Sequence, residues 1–229
     1  MPTIDHKDFG KITIRRSAMA KSIRISVAPN GSLRVSVPQY TPLFLVKAFI
    51  NKSHAKLTDI LKDSHKKIAY HDGMQIGKSH HLVIISASKL IVKRHKQQII
   101  VNLPANKNID DLEVINNINK IIIQALRIEA KSYLPKRLSY LARQYAFNYE
   151  KVRFSHSSGR WGSCSSSGVI SLNIALMKLP FDLIDYVLIH ELSHTVHMNH
   201  SKSFWIQVET CLVNYKSYRS RLKNESPSI

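Results

Sequence analysis

Acidic residues are scarce in this chain. Fifteen Asp and Glu stand against 34 Lys and Arg, which leaves a formal charge of +19 and a pI near 10.0. A soluble domain ordinarily carries a much smaller charge, and a field of this sign attracts polyanions: nucleic acid, acidic proteins or anionic membrane surfaces. Cysteine is rarer still. Cys164 and Cys211 are too few for a disulfide framework, which fits a reducing, cytoplasmic setting. No apolar run approaches 18 residues, so no segment is expected to span a membrane, and the polar stretch from Met1 to Gly10 has no apolar signal core. There is no Gly-rich phosphate loop, no Ser-His-Asp arrangement, no low-complexity tract and no visible internal repeat.

What is present is a folding chain. At 229 residues and 44% hydrophobic composition it has the length and apolar content for one large domain or two small ones. The charge is uneven: residues 1–109 carry +14 and residues 110–229 carry +5. The first part reads as β-rich. Ile12 and Ile14, then Ile23, Ile25 and Val27, alternate at strand period, and Pro29 to Ser32 forms a turn into Leu33, Val35 and Val37. Arg15, Arg16, Lys21, Arg24 and Arg34 decorate these strands, either as a basic patch or as a solvated outer face. A helix is expected over 43–60 with Leu45, Ala48, Phe49, Leu57 and Ile60 inward, followed by an exposed basic stretch at 62–67. A second β meander covers 82–85, 90–93 and 99–103. His65, His71, His80, His81 and His95 are scattered without ligand spacing and read as surface residues.

A boundary is expected at 109/110, where Asp110 and Asp111 complement the dipole of a starting helix. That helix runs from Leu112 to about Tyr133, and Pro135 interrupts or kinks it before Leu138, Leu141 and Tyr145 continue an inward face. Strands follow at 152–154 and 169–175, with loops at 155–158 and 163–168.

The stretch with chemical content begins at His190: His190-Glu191-Leu192-Ser193-His194, with a further histidine at position 200. On a helix, positions i and i+4 share a face, so His190 and His194 could close on one ion with Glu191 beside them. Two neutral imidazoles and a carboxylate at this spacing suit zinc-assisted hydrolysis, with Glu191 as the general base. The preceding run, Phe181 to Ile189, is apolar, as a buried helix requires, and Pro180 and Asp182 fit its start. A buried His-Glu-His set is costly unless something pairs it, and a metal ion would. The third ligand is His200 provided the chain leaves the helix between His194 and His200. Asn199 suits a helix end and Ser201 suits the N-cap of a helix over 202–213, with Phe204, Trp205 and Val208 inward. His197 is the rival, but at i+3 from His194 a continuing helix turns it away.

Together, Arg160-Trp161-Gly162-Ser163-Cys164, Ile170-Ser171-Leu172-Asn173, the His190–His194 block and Asn199-His200-Ser201 with Phe204-Trp205 resemble the YgjP-like metallopeptidases. That family belongs to the zincin group and is similar to the SprT-like proteases. The resemblance is strongest over about 120–222. It implies an α+β fold in which a β-rich region, residues 1–109, precedes a zincin-like metallopeptidase domain, residues 110–229, with an HExxH active-site helix. It also implies zinc held by His190, His194 and His200, Glu191 as the catalytic residue and a protein or peptide substrate. The pattern departs from metzincins, since position 197 is His rather than Gly and no Met-turn follows His200. Zincins generally pair an extended substrate with an exposed strand edge, and 169–175 is the expected edge. Arg160 and His156 are candidates to steady an oxyanion, and Asn173 a candidate to support a ligand. Cys164 fits a packing residue in a tight turn.

Two other readings remain. One is a nucleic-acid-associated protein, either binding only or cleaving nucleic-acid-bound proteins, through the basic surface. The other is a structural zinc site with no turnover, for which a fourth protein ligand would be needed.

Overall fold

The computed structural model describes residues 3–20, 22–27, 33–54, 57 and 69–229. The chain divides into two compact units, 1–69 and 70–229. The division therefore falls well before the expected boundary near 110. The cause is packing: Ile76, Leu82, Ile99 and Val101, from the strands before that boundary, share one core with the helices after it.

In the first unit, β1 (Thr3–His6), β2 (Gly10–Ser17), β3 (Arg24–Val27) and β4 (Leu33–Pro38) form a sheet in the order β1-β2-β4-β3. β2 and β4 run parallel, and the outer two pairings are antiparallel. Period-two alternation puts Ile12, Ile14, Leu33, Val35 and Val37 on one face, buried against Val46 and Ile50 of α1 (Leu43–Lys52). The inward side of α1 is thus one position on from Leu45 and Phe49, which are exposed. Both sets have helical spacing, and only the sheet beneath decides between them. The expected turn at 29–32, the basic stretch at 62–67 with His65, and the C-terminal part of the expected helix at 58–60 lie outside the described residues.

The second unit begins with β5 (Gln75–Ile76), β6 (His80–Ser86), β7 (Ile91–His95) and β8 (Gln98–Leu103), in the order β5-β6-β8-β7. Here too the inner pair, β6 and β8, is parallel and the outer pairings are antiparallel. This is no meander. It repeats the strand order, the pairing senses and the following helix of the first sheet, a duplication of topology that residue identities do not display. α2 (Leu112–Gln144) packs across this sheet, about 50 Å long at 1.5 Å per residue. It passes through Pro135 unbroken. Lys131, one turn back, is exposed, so water can take the carbonyl that the proline leaves without a partner.

His80 corrects the surface reading: it is buried, and its Nδ1 lies 2.6 Å from Oε1 of Glu129 on α2. Glu129 also accepts from the backbone N–H of Lys78 at 2.7 Å and of Ser79 at 2.9 Å. Gly77 makes this possible. Its φ is +62°, and a Cβ there would run into the Glu129 carboxylate and Leu126.

A third sheet, order β10-β11-β9, is built from β9 (Lys151–Ser155), β10 (Gly162–Cys164) and β11 (Val169–Asn173). β11 is its middle strand, antiparallel to β10 and parallel to β9. A short 3-10 turn (Ile174–Lys178) leads to α3 (Phe181–Ser193), α4 (Lys202–Cys211) and α5 (Tyr215–Leu222). α3 is almost wholly buried. Arg137 of α2 donates to both Asp185 oxygens, at 2.7 and 2.6 Å, and Arg221 of α5 pairs with Asp182 at the helix start. These bidentate contacts fix the helix that presents His190.

Candidate metal centre

α3 ends where its chemistry begins. His190 and Glu191 stand in its last turn and His194 caps it. The backbone then tightens into a turn, with Thr195 N–H donating to Leu192 O at 2.9 Å and Val196 N–H to Ser193 O at 3.2 Å, three residues back and not four. One last bond, from His197 N–H to Ser193 O, closes the turn, and the chain between it and Lys202 brings in His200. Ser201 caps α4, its hydroxyl accepting from Phe204 N–H at 3.4 Å. The ligand atoms of His190, His194 and His200 all lie within 4.8 Å of one another. The Nε2 atoms of His190 and His200 are 3.1 Å apart. Four ligands placed about 2.0–2.1 Å from a tetrahedral zinc stand about 3.4 Å from one another, so small rotations of the rings would suffice. His197 contributes its carbonyl, not its ring. That oxygen accepts from His194 Nδ1 at 3.0 Å, which fixes the tautomer and leaves Nε2 free to face the other two rings.

An aromatic floor holds the rings in place. Phe204, fully buried, has its ring centroid 4.9, 4.5 and 4.9 Å from those of His190, His194 and His200. Trp205 stacks on His200 at 5.6 Å and on Tyr215 at 5.3 Å. The guanidinium of Arg219 sits 4.5 Å from the Trp205 ring. Arg219 has no motif around it. Its only trace in the sequence is the i, i+4 pairing with Tyr215, which means little until α5 is placed.

The electrostatics fit a cation. Burial, aided by the neighbouring His194, His200 and Arg219, pushes the His190 imidazole down to about 3. Burial followed by the same neighbours, His194 and Arg219, also lowers His200. Imidazoles held neutral are the form that ligates metal. Burial pushes the Glu191 carboxyl up to about 8, against the opposing charge of Arg160. A carboxyl that gains and loses a proton near neutrality suits a proton shuttle. His190 Nδ1 and Glu191 Oε2 are buried without a hydrogen-bond partner. Unpaired buried polar atoms are costly, and solvent on a bound ion would give the Glu191 oxygen a partner, whereas His190 meets the other rings through Nε2 and not Nδ1. The donor set therefore fits a zinc-class ion. Among the described residues, no fourth His, Cys, Asp or Glu joins the three histidines.

Glu191 lies against β10, an outer strand of the third sheet. A Cβ on Gly162 would stand 2.6 Å from Glu191 Oε1, 2.7 Å from Cγ and 2.8 Å from Cδ. Only glycine lets β10 approach this closely. The strand edge beside the histidines is thus β10, and the expectation that 169–175 forms it is corrected: β11 is hydrogen-bonded on both sides. Cys164, in the same strand, is an uncrosslinked thiol pushed up by burial and by the charge of Glu191. Asn173 serves the loop and not a ligand. Fully buried, it donates to Ser157 O at 2.6 Å and Arg160 O at 2.9 Å, and accepts from Ala175 N–H at 3.0 Å. Arg160 is exposed and its charge reaches Glu191, whereas the charge acting on His156 is that of Arg127.

Residues 21–225 match the model of the YgjP-like metallopeptidase domain. The chain belongs to the YgjP-like metallopeptidase family. Membership supports a metal-dependent peptidase, a hydrolase acting on protein or peptide. Among solved structures the chain is similar to the metallopeptidase zymogen abylysin of Pyrococcus abyssi, at 26% identity, covering 39% of this chain and 91% of that one with a TM-score of 0.36. It is also similar to the zymogen jannalysin of Methanocaldococcus jannaschii, at 17% identity, covering 39% and 90% with a TM-score of 0.34. No curated protein matches.

Proposed function

We propose that this chain is a zinc-dependent peptidase whose active-site helix is α3, with His190, His194 and His200 as metal ligands and Glu191 as general base. The observation that carries this reading is the convergence of three imidazoles on one point beside a buried, unpartnered carboxyl. When bound, zinc would supply a Lewis acid for the scissile carbonyl and would acidify an attacking water. Glu191 takes the proton of that water and returns it to the departing amine. Phe204 and the His197 carbonyl hold the rings in position, so little reorganisation is needed at the moment of reaction. The free edge of β10 hydrogen-bonds the backbone of an extended peptide, and Gly162 brings that edge up to Glu191. The absence of a fourth protein ligand among the described residues favours turnover over a purely structural site. No described helix is long and apolar enough to cross a membrane, and the two uncrosslinked cysteines suit a reducing, cytoplasmic setting.

The test is metal analysis and peptide cleavage on three proteins. Wild type should bind one zinc and cleave. Glu191→Gln should keep the zinc and lose cleavage by several orders of magnitude. His194→Ala should lose both. Wild-type turnover in Glu191→Gln would remove the assigned base, and full zinc occupancy in His194→Ala would remove the assigned ligand set.

A further inference from the structure

The two four-stranded sheets share a topology but not a surface. The outward face of the second carries Val83, Ile85, Ile91 and Ile100, with Lys93 as a lone charge in the middle rows. The corresponding face of the first carries Arg15, Arg24 and Arg34, all exposed, among Thr13, Ser26 and Ser36. Since the same scaffold tolerates either covering, the arginines are not a requirement of the fold.

Register fixes their spacing. Arg15 and Arg24 both stand opposite Ser36, on the two strands flanking β4. At about 4.8 Å per strand they originate about 10 Å apart, and Arg34, two residues along β4, lies about 8 Å from each. No ion pair engages any of the three among the described residues. The one described carboxylate on this face, Asp5, stands two strands and two residues from Arg34 and farther from the others. That is about 12 Å, beyond the Debye length of about 8 Å at physiological salt. α1 covers only the opposite, apolar face.

We propose that this face binds the phosphate backbone of duplex DNA. Three guanidiniums on one sheet face, without an ion pair among the described residues, suit phosphates, which accept their forked donors and release condensed counterions on binding. The outward positions carry no aromatic residue on which an unstacked base could lie, which argues against single strands. They carry no Asn or Gln, and the Ser26 hydroxyl is engaged by the Arg34 carbonyl at 3.4 Å, leaving few groups to read 2′-hydroxyls. Binding is therefore sequence-independent and strongly salt-dependent. The assignment is independent of the peptidase reading.

The test uses the full chain and a fluorescent DNA duplex of about 20 base pairs, with anisotropy followed between 50 and 200 mM salt. Replacing Arg15, Arg24 and Arg34 together with Gln should lower the slope of log affinity against log salt by about 2.7, at about 0.9 per phosphate contact. Wild type should then lose about 40-fold more affinity than the variant across that salt range. A control removing the same charge elsewhere, Lys131→Gln with Lys136→Gln and Lys151→Gln, all exposed positions of the second unit, should leave the slope near wild type. Zinc content and peptide cleavage should be unchanged in both. An unchanged slope in the arginine variant, an equal drop in the control, or tighter binding of a single strand, an RNA duplex or polyglutamate overturns the proposal.

Discussion

Replacing Gly162 with alanine probes the contact between β10 and Glu191. The added methyl would sit 2.6–2.8 Å from three atoms of Glu191, where ordinary contact begins at 3.4 Å. The two must separate by about 0.6–0.8 Å. Glu191 is only 5% exposed, and the clash includes Cγ as well as the carboxylate tip, so rotating the end of the side chain does not relieve it. Either β10 withdraws from α3 or Glu191 leaves its position. Overpacking of this kind costs about 1–3 kcal/mol, which at about 2–4 °C per kcal/mol for a domain of this size lowers Tm by about 2–12 °C. A displacement near 1 Å at a reacting group costs about 100-fold in rate. The expected result is zinc content near one, kcat down about 100-fold and a modest fall in Tm. Gly159→Ala is the matched control: a Cβ there meets nothing within 4 Å, so rate and Tm should stay at wild type. Wild-type kcat and Tm in Gly162→Ala would refute the packing of β10 on Glu191 and, with it, the reason for glycine at this position.

Removing the floor beneath the histidines by Phe204→Leu should lower zinc affinity about 10-fold with a stability loss of about 1 kcal/mol, read by competition with a chelator and by thermal melting; Phe204→Ala should cost about 3–5 kcal/mol and threaten folding. The Glu129 cluster makes a pH prediction. Burial alone would raise the Glu129 carboxyl, but its bonds from Lys78, His80 and Ser79 outweigh this and hold it below its ordinary 4.5. A carboxylate lowered on folding stabilises above its unfolded value and loses that contribution as pH falls through the folded one. Stability should thus decline below about pH 4.5, and Glu129→Gln, about 1–3 kcal/mol less stable at neutral pH, should flatten that decline in denaturant titrations followed by circular dichroism.

Local patterns account for much that was legible without coordinates. The alternation of Ile12 with Ile14 and of Leu33, Val35 and Val37 marks buried strand faces, because a strand's side chains repeat every two residues. Phe181 to Ile189 reads as a buried helix because all but Asp182 and Asp185 are apolar, and Ser201 as a helix start because its hydroxyl accepts a free backbone N–H. Where a pattern was ambiguous, the third dimension chose. Val46 and Ile50 face inward and Leu45 and Phe49 do not, although both pairs share helical spacing. His80 looks like a surface residue until Glu129, 49 positions away, closes over it.

By itself, then, the sequence determined which residues have the chemistry for a metal site: the spacing from His190 to His194 is a helical repeat, and helical repeats are local. It also determined the excess of positive charge, which no fold can change. Only the tertiary structure decided that β10 and not β11 is the open edge, that Gly162 lets that edge rest on Glu191, that Trp205 carries Arg219 to the rim, and that three arginines from three strands share one face. Each of these joins residues far apart in the chain, and such contacts depend on register and packing, which no local period encodes.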